Sequence, residues 1–291
     1  MTATWTVVRL LGWAAPYLES HGSGSPRLDA ELLLAAVLGC SRLELYLHHD
    51  RPLDREELAA FKALLLRRRQ REPMAYILGE KEFWSLPFRV SPAVLIPRPE
   101  TEHLVEEAIR IIDRHYPEGA FVVDFGTGCG NIILSLAAHY RQRPGYAWEG
   151  IDRSPAAVEV ARANAERLDL AAVTWRVADL EAAAADPARP WQLVVSNPPY
   201  IPAGELAGLA PEVRQEPREA LDGGRDGLDY YRVIARRLPA LLPAGGWLLL
   251  EVGAGQAPAV ADMLTAAGAG EVARVRDLQG IERVVVCQWM P

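Results

Sequence analysis

Beyond residue 100 the sequence alternates short aliphatic and aromatic runs with longer stretches of helical periodicity, and this alternation constrains the fold more than any other feature. The strand-like runs are AFVVDFG (120–126), YAWEGID (146–152), VTWRVAD (173–179), WQLVVSN (191–197) and GGWLLLEVG (245–253). Helical patterning fills residues 130–140, 154–168, 226–241 and 256–267. Strands joined through helices predict an α/β protein with a doubly wound, largely parallel sheet. Two further strands, near 271–277 and 282–289, bring the sheet to seven. Only Leu278-Gln279-Gly280-Ile281 separates them, too short for a helical crossover, so the last strand is expected to run antiparallel. Ala182 to Ala185 reads as an alanine-rich loop or helix end.

The first seventy residues have a different character. Leu28, Leu32, Leu33, Ala36 and Val37 recur at helical spacing, as do Leu53, Leu58, Phe61, Leu64 and Leu65 behind Asp54. Asp54 with Glu57 three residues on predicts a capped helix start. From Pro73 to Pro99 aromatic and β-branched residues are broken by Gly79, Pro87, Pro92 and Pro97, a pattern for a hairpin-bearing linker. Three parts are therefore expected: a helical bundle (1–72), a β-hairpin linker (73–99) and the α/β domain (100–291).

Composition narrows the function. A net charge of −7 argues against a surface built to neutralise phosphates, so no stable nucleic-acid partner is expected. The dense basic cluster, Arg67, Arg68, Arg69 and Arg71, reads as a solvated face near a helix C-terminus. Cys40, Cys129 and Cys287 are odd in number and widely spaced, which suits a reducing compartment, and the six histidines show no ligand spacing, so no metal is expected. LLLAAVLGC, ending at Cys40, looks like a lipoprotein processing site but follows Asp29 and Glu31 and is too short to span a bilayer. It reads as a core helix of a cytoplasmic protein with no membrane association.

Candidate chemistry lies at the strand ends. WQLVV runs through Ser196 into Asn197-Pro198-Pro199-Tyr200, where two prolines stiffen an extended path and remove two amide donors. The Asn197 side-chain oxygen and the Pro198 carbonyl there suit an NH2 group, whose two hydrogens they would accept; the alternative is a proline-stiffened loop. Asp124-Phe125-Gly126-Thr127-Gly128-Cys129-Gly130 precedes a helix, with glycines that let backbone approach a ligand. Asn131 stands where a dinucleotide fingerprint needs glycine, which disfavours NAD. Asp152 ends the next strand and suits two ribose hydroxyls, or else caps the following helix. Asp179, in Ala178-Asp179-Leu180, suits an adenine amine, or else is a surface turn.

In this order the glycine turn, Asp152, Asp179 and NPPY resemble the class I S-adenosylmethionine-dependent methyltransferases that act on nitrogen. Longer segments, 71–108, DFGTGCGNIILSLA (124–137), VSNPPYIP (195–202) and EPREALDGGRDGLDYYR (216–232), together with DAELLLAAVLG (29–39), resemble the bacterial release factor glutamine methyltransferases across nearly the whole chain. The resemblance implies methyl transfer from S-adenosylmethionine to the amide nitrogen of the glutamine in the Gly-Gly-Gln motif of class 1 peptide chain release factors; the enzyme is expected to be a monomer. It implies that Gly126 to Gly130 (Thr127, Gly128 and Cys129 between them), Asp152, Leu180 and Asn197 line the cofactor. Asn197, Pro198, Pro199 and Tyr200 would hold the glutamine, with Tyr200 packed on the amide plane. Arg98 and Glu100 would shape the substrate cleft, or else form a salt-bridged hinge.

This sequence departs from the family at Cys129 and Asn131, where small residues are frequent, and at Leu180, where some members carry an aromatic ring. Backbone contacts to the cofactor tolerate the first two, and Leu180 leaves an apolar or main-chain contact to adenine. The rival functions are glutamine methylation on a ribosomal protein, adenine N6 methylation of DNA, and a non-catalytic cofactor-binding assembly factor.

Overall fold

The computed structural model describes residues 4–184 and 191–290, and these divide into two compact units. Ala185 lies outside the described residues; the alanines before it end a short helix, Leu180–Ala184.

One unit comprises the described residues through Gly79 together with Ala210–Gln215. It holds α1 (Val7–Ser20), α2 (Pro26–Leu38), α3 (Arg42–Leu47), α4 (Arg55–Arg69) and α5 (Met74–Leu78). Local signals set the boundaries. Pro26 opens α2, and Gly39, at φ 62°, closes it in the left-handed conformation. Asp54 accepts from the Glu57 amide at 2.8 Å while Glu57 accepts from the Asp54 amide at 3.0 Å, the reciprocal cap expected of that spacing. Leu33 and Leu34 of α2 pack with Leu10, Leu11, Phe61 and Leu65 in the core, so LLLAAVLG is indeed a core helix.

The basic cluster is not a solvated face. Arg68 is 7% exposed, with its guanidinium 2.7 Å from Asp29 and 2.9 Å from Glu212. Arg71 reaches Glu212 at 2.7 Å, and Arg67 pairs with Glu72. Only Arg69 of the four is exposed and without an ion pair among the described residues. The expectation failed because the compensating acids lie far away in sequence: Asp29 is 39 residues from Arg68, and Glu212 is 144.

The second unit comprises Glu80–Leu209 and the described residues from Glu216 onward. It begins with the hairpin β1 (Glu80–Phe83) and β2 (Leu86–Arg89), whose two turn residues, Trp84 and Ser85, both have positive φ, as a tight hairpin requires. Then come α6 (Glu102–His115), β3 (Phe121–Phe125), α7 (Asn131–His139), β4 (Ala147–Asp152), α8 (Pro155–Arg167), β5 (Thr174–Val177), α9 (Leu180–Ala184), β6 (Leu193–Ser196), α10 (Asp229–Leu241), β7 (Trp247–Glu251), α11 (Ala257–Ala266), β8 (Val272–Arg276) and β9 (Glu282–Gln288). The sheet order is β5-β4-β3-β6-β7-β9-β8; β3 to β7 are parallel, and β9 runs antiparallel to both its neighbours, as expected. Among the described residues no helix is long and apolar enough to cross a membrane.

The strand order reverses between β3 and β6. At such a switch point the connections leave in opposite directions and open a crevice beyond the carboxyl ends of the strands. The register brings those ends level: Phe125 pairs with Ile151 on one side and Ser196 on the other, Asp152 with Val177, and Ser196 with Leu250. Gly126, Asp152, Val177, Asn197 and Glu251 therefore emerge side by side. Val123, Phe125, Ile151, Val194, Leu248 and Leu250 pack beneath them.

Candidate active site

The turn after β3 is built by hydrogen bonds to its neighbour strand. The amides of Gly126 and Thr127 donate to the Ile151 carbonyl at 2.9 and 3.0 Å, and the Gly128 amide donates to Asp152 Oδ2 at 2.9 Å. Gly126 and Gly128 adopt φ of 71° and 55°, and a Cβ at Gly126 would meet no described atom within 4 Å; at Gly128 the nearest is 4.0 Å away. The space over this backbone is open. Gly130 differs: its Cβ would stand 2.9 Å from Leu134, 3.1 Å from Trp175 and 3.3 Å from Ala161, so that glycine serves packing.

Two adjoining cavities meet at this edge. The first, about 110 Å³, is lined by Gly126 to Cys129, Asp152, Arg98, Thr101 and Asn197. The second, about 270 Å³, is mostly apolar, with Phe125, Ile151, Ala178, Leu180, Pro198 and Ile234 on its walls beside Asp179. Gly126, Arg153, Pro199 and Tyr230 belong to both, and Arg153 donates to the Tyr230 hydroxyl at 3.3 Å.

Asp152 Oδ1 accepts from the Ser154 amide at 2.9 Å, while Ser154 itself caps α8 through Ala157. Each Asp152 oxygen thus holds one backbone partner and keeps lone-pair capacity toward the cavity. Burial pushes its pKa up, against the hydrogen bonds from Ser154 and Gly128. Asp179 is exposed and accepts from the Ala182 amide at 2.7 Å, capping α9; the surface-turn alternative describes its side chain, although it borders the second cavity. The Cys129 thiol is buried and pushed up to about 12 by desolvation, so it stays neutral.

In the Asn197 to Tyr200 lip, Asn197 is half-buried and its Nδ2 donates to Thr101 Oγ1 at 3.2 Å. That bond leaves Oδ1 as the free end of the amide. Pro198 and Pro199 line the second cavity, and Pro199 the first as well. Tyr200 lines neither: its carbonyl accepts from Gln256 at 2.9 Å, and its ring packs beside Gly253. Arg98 lies on the first cavity's wall, but its guanidinium pairs with buried Glu216, which also accepts from the Ile96 amide at 3.0 Å.

Several residues here were not singled out from sequence. Asp124, fully buried below the glycine turn, accepts from Thr127 Oγ1 at 2.7 Å, and its Oδ1 has no partner among the described residues. Desolvation, with Asp152 nearby, lifts its pKa to about 7. An acid ending an otherwise apolar strand, FVVD, was the available signal. Tyr230, Arg153 and Thr101 gave none.

A seven-stranded sheet in this order, with a glycine turn after its first parallel strand and an acid after the next, defines a class I S-adenosylmethionine-dependent methyltransferase. Residues 122–215 match the methyltransferase domain family, and residues 9–79 match the PrmC N-terminal domain family. A methyltransferase structure from Pyrococcus furiosus, 14% identical, shares the fold with a TM-score of 0.52 over 72% of this chain and 92% of its own. The release factor glutamine methyltransferase of Geobacter sulfurreducens is 45% identical over 97% of this chain and 96% of its own; that of Rhodospirillum rubrum is 43% identical over 96% and 84%. The chain belongs to the release factor glutamine methyltransferase family.

Proposed function

We propose that the protein transfers a methyl group from S-adenosylmethionine to the side-chain amide nitrogen of the glutamine in the Gly-Gly-Gln motif of class 1 peptide chain release factors. The site's residues fit the cofactor: open backbone over Gly126 and Gly128, a carboxylate at Asp152 with spare lone pairs, and an apolar cavity beside Leu180 and Ile151 for a flat base. S-adenosylmethionine supplies an electrophilic methyl group on a sulfonium sulfur.

The observation that carries this reading is the orientation of Asn197. With Nδ2 committed to Thr101, Oδ1 is an acceptor on the wall that also bears the glycine turn and Asp152. Asn197 Oδ1 and the Pro198 carbonyl accept the two hydrogens of the glutamine NH2, which fixes the nitrogen and turns its face to the cavity. An amide nitrogen is a weak nucleophile because its lone pair is delocalised, so the gain comes from orientation rather than from a base. The Tyr200 phenol, pushed up to about 12 by burial, stays neutral and is no base. Gly130 and Tyr200 act one layer back, by packing the turn and the lip.

The same reading has the enzyme working as a cytoplasmic monomer, and without stable nucleic-acid partners; the net charge of −7 supports the last of these. The test is methyl transfer with purified release factor, its Gln-to-Ala variant, ribosomal protein and DNA offered in parallel. Transfer only to the intact release factor is expected; labelling of DNA or ribosomal protein instead would sink the assignment. Asn197→Ala is expected to lower kcat by roughly 10²- to 10³-fold, the range for loss of one preorganised polar contact, with its unfolding transition unchanged.

A further inference from the structure

Glu251, the last residue of β7, is 2% exposed and absent from both cavity walls. The parallel register, Ser196 opposite Leu250, places it beside Asn197. The Thr101 hydroxyl and the Asn197 amide lie close enough to its carboxyl group to favour the charged form, while Oε2 keeps no partner among the described residues. Nothing in the transfer itself uses this acid.

Its chemistry nevertheless decides which way Asn197 faces. A charged carboxylate only accepts, so a Thr101 hydroxyl turned toward it donates. Thr101 Oγ1 is then an acceptor, and only the Nδ2 end of Asn197 satisfies it, as the 3.2 Å contact records. A protonated Glu251 carries both a donor and an acceptor, so it no longer sets the direction: Thr101 can donate onward, and the Asn197 amide is then free to turn over and present NH2 to the substrate. An NH2 group facing another NH2 group is repulsive.

Resting on the function proposed above, we infer that Glu251 and Thr101 are positioning residues: the charged carboxylate polarises a hydrogen-bond chain that holds Asn197 Oδ1 toward the acceptor amide. The surroundings put this chain near its switching point. Burial, with Glu100 in the same direction, raises Glu251 to about 7 against the opposing effects of Thr101, Arg283 and Asn197. The phenols of Tyr200 and Tyr231 are the other titratable groups facing it, and Tyr231 donates to the Glu251 backbone carbonyl at 2.8 Å. Transfer therefore declines as pH falls through about 7, because the protonated acid no longer fixes the amide.

The test uses the full chain with S-adenosylmethionine bound. Side-chain amide NMR signals of Asn197, identified by their loss in Asn197→Ala, are followed across neutral pH, and kcat is measured on release factor. The wild-type signals are expected to shift with a midpoint near 7 and the kcat profile to follow; Glu251→Gln removes both limbs. Glu251→Gln and Thr101→Val lower kcat roughly 100-fold, as misplacement of a reacting group does, without raising KM for S-adenosylmethionine, and Thr101→Ser restores the rate. A wild-type pH limb retained in Glu251→Gln, or full kcat in Thr101→Val, overturns the inference. Failure of the wild type to methylate release factor overturns the acceptor assignment alone, since the Asn197 signals still decide the chain.

Discussion

Gly128 and Gly130 look equivalent in sequence, yet the structure separates their roles, and exchanging each for alanine tests that separation. Both sit at positive φ, 55° and 83°, where an L residue costs about 1–2 kcal/mol. At Gly128 that is the whole stability effect, because the added methyl meets nothing nearer than 4.0 Å. At Gly130 it also lies 2.9 Å from Leu134, 3.1 Å from Trp175 and 3.3 Å from Ala161, and overpacking of this kind adds about 1–3 kcal/mol. For a unit of this size the added penalty lowers Tm by roughly 2–12 °C below the Gly128 variant. Cofactor affinity should rank the other way, since Gly128 lines the first cavity and Gly130 does not. Thermal unfolding and calorimetric titration with S-adenosylmethionine measure the two quantities independently. A Gly130→Ala protein that melts no lower than Gly128→Ala, yet binds the cofactor less well, would falsify the division of labour.

Two further outcomes follow from buried charges. Arg68→Ala leaves Asp29 buried without its guanidinium and should destabilise the helical unit by about 3–5 kcal/mol, whereas replacing both with apolar residues of similar volume should restore most of that loss; denaturant titration of the three proteins decides it. Asp124 has a folded pKa of about 7, above its unfolded value of 3.8, so its contribution to stability is complete below the unfolded pKa and lost as pH rises through about 7. Asp124→Asn should flatten this part of the stability profile, and an unchanged slope between the two pKa values would assign it to other groups.

Strands and their order of use were legible because each β-branched run stops at a residue of distinct chemistry: Gly126, Asp152, Asp179, Asn197. The helix Glu102–His115 was passed over, although Leu104, Val105, Ala108, Ile111 and Ile112 mark a buried face, because the prolines before it drew the linker reading onward. Side-chain partnership was the level that sequence did not reach. Glu251 ends WLLLE as any surface acid might, and only the pairing of β6 with β7 brings it behind Asn197. Asp179 illustrates the converse: its position at a strand end was right, but a five-residue helix immediately after it takes one carboxylate oxygen for capping. Asn164 also escaped notice, though its buried amide bonds the Arg89 backbone at both N and O and the Cys129 carbonyl at 2.9 Å, tying the hairpin to the glycine turn.

The return of Ala210–Gln215 to the helical unit has a consequence in time. A ribosome releases Arg71 and then must add 141 residues before Glu212 exists, which at 5–20 residues per second takes roughly 7–28 s. During that interval β3, β4, β5 and β6 are all synthesised. The amino-terminal helices therefore wait, with two guanidinium groups lacking their shared acid, until the strands that carry the glycine turn and the Asn197 lip have been made. The first part of the chain to emerge is not the first to be finished.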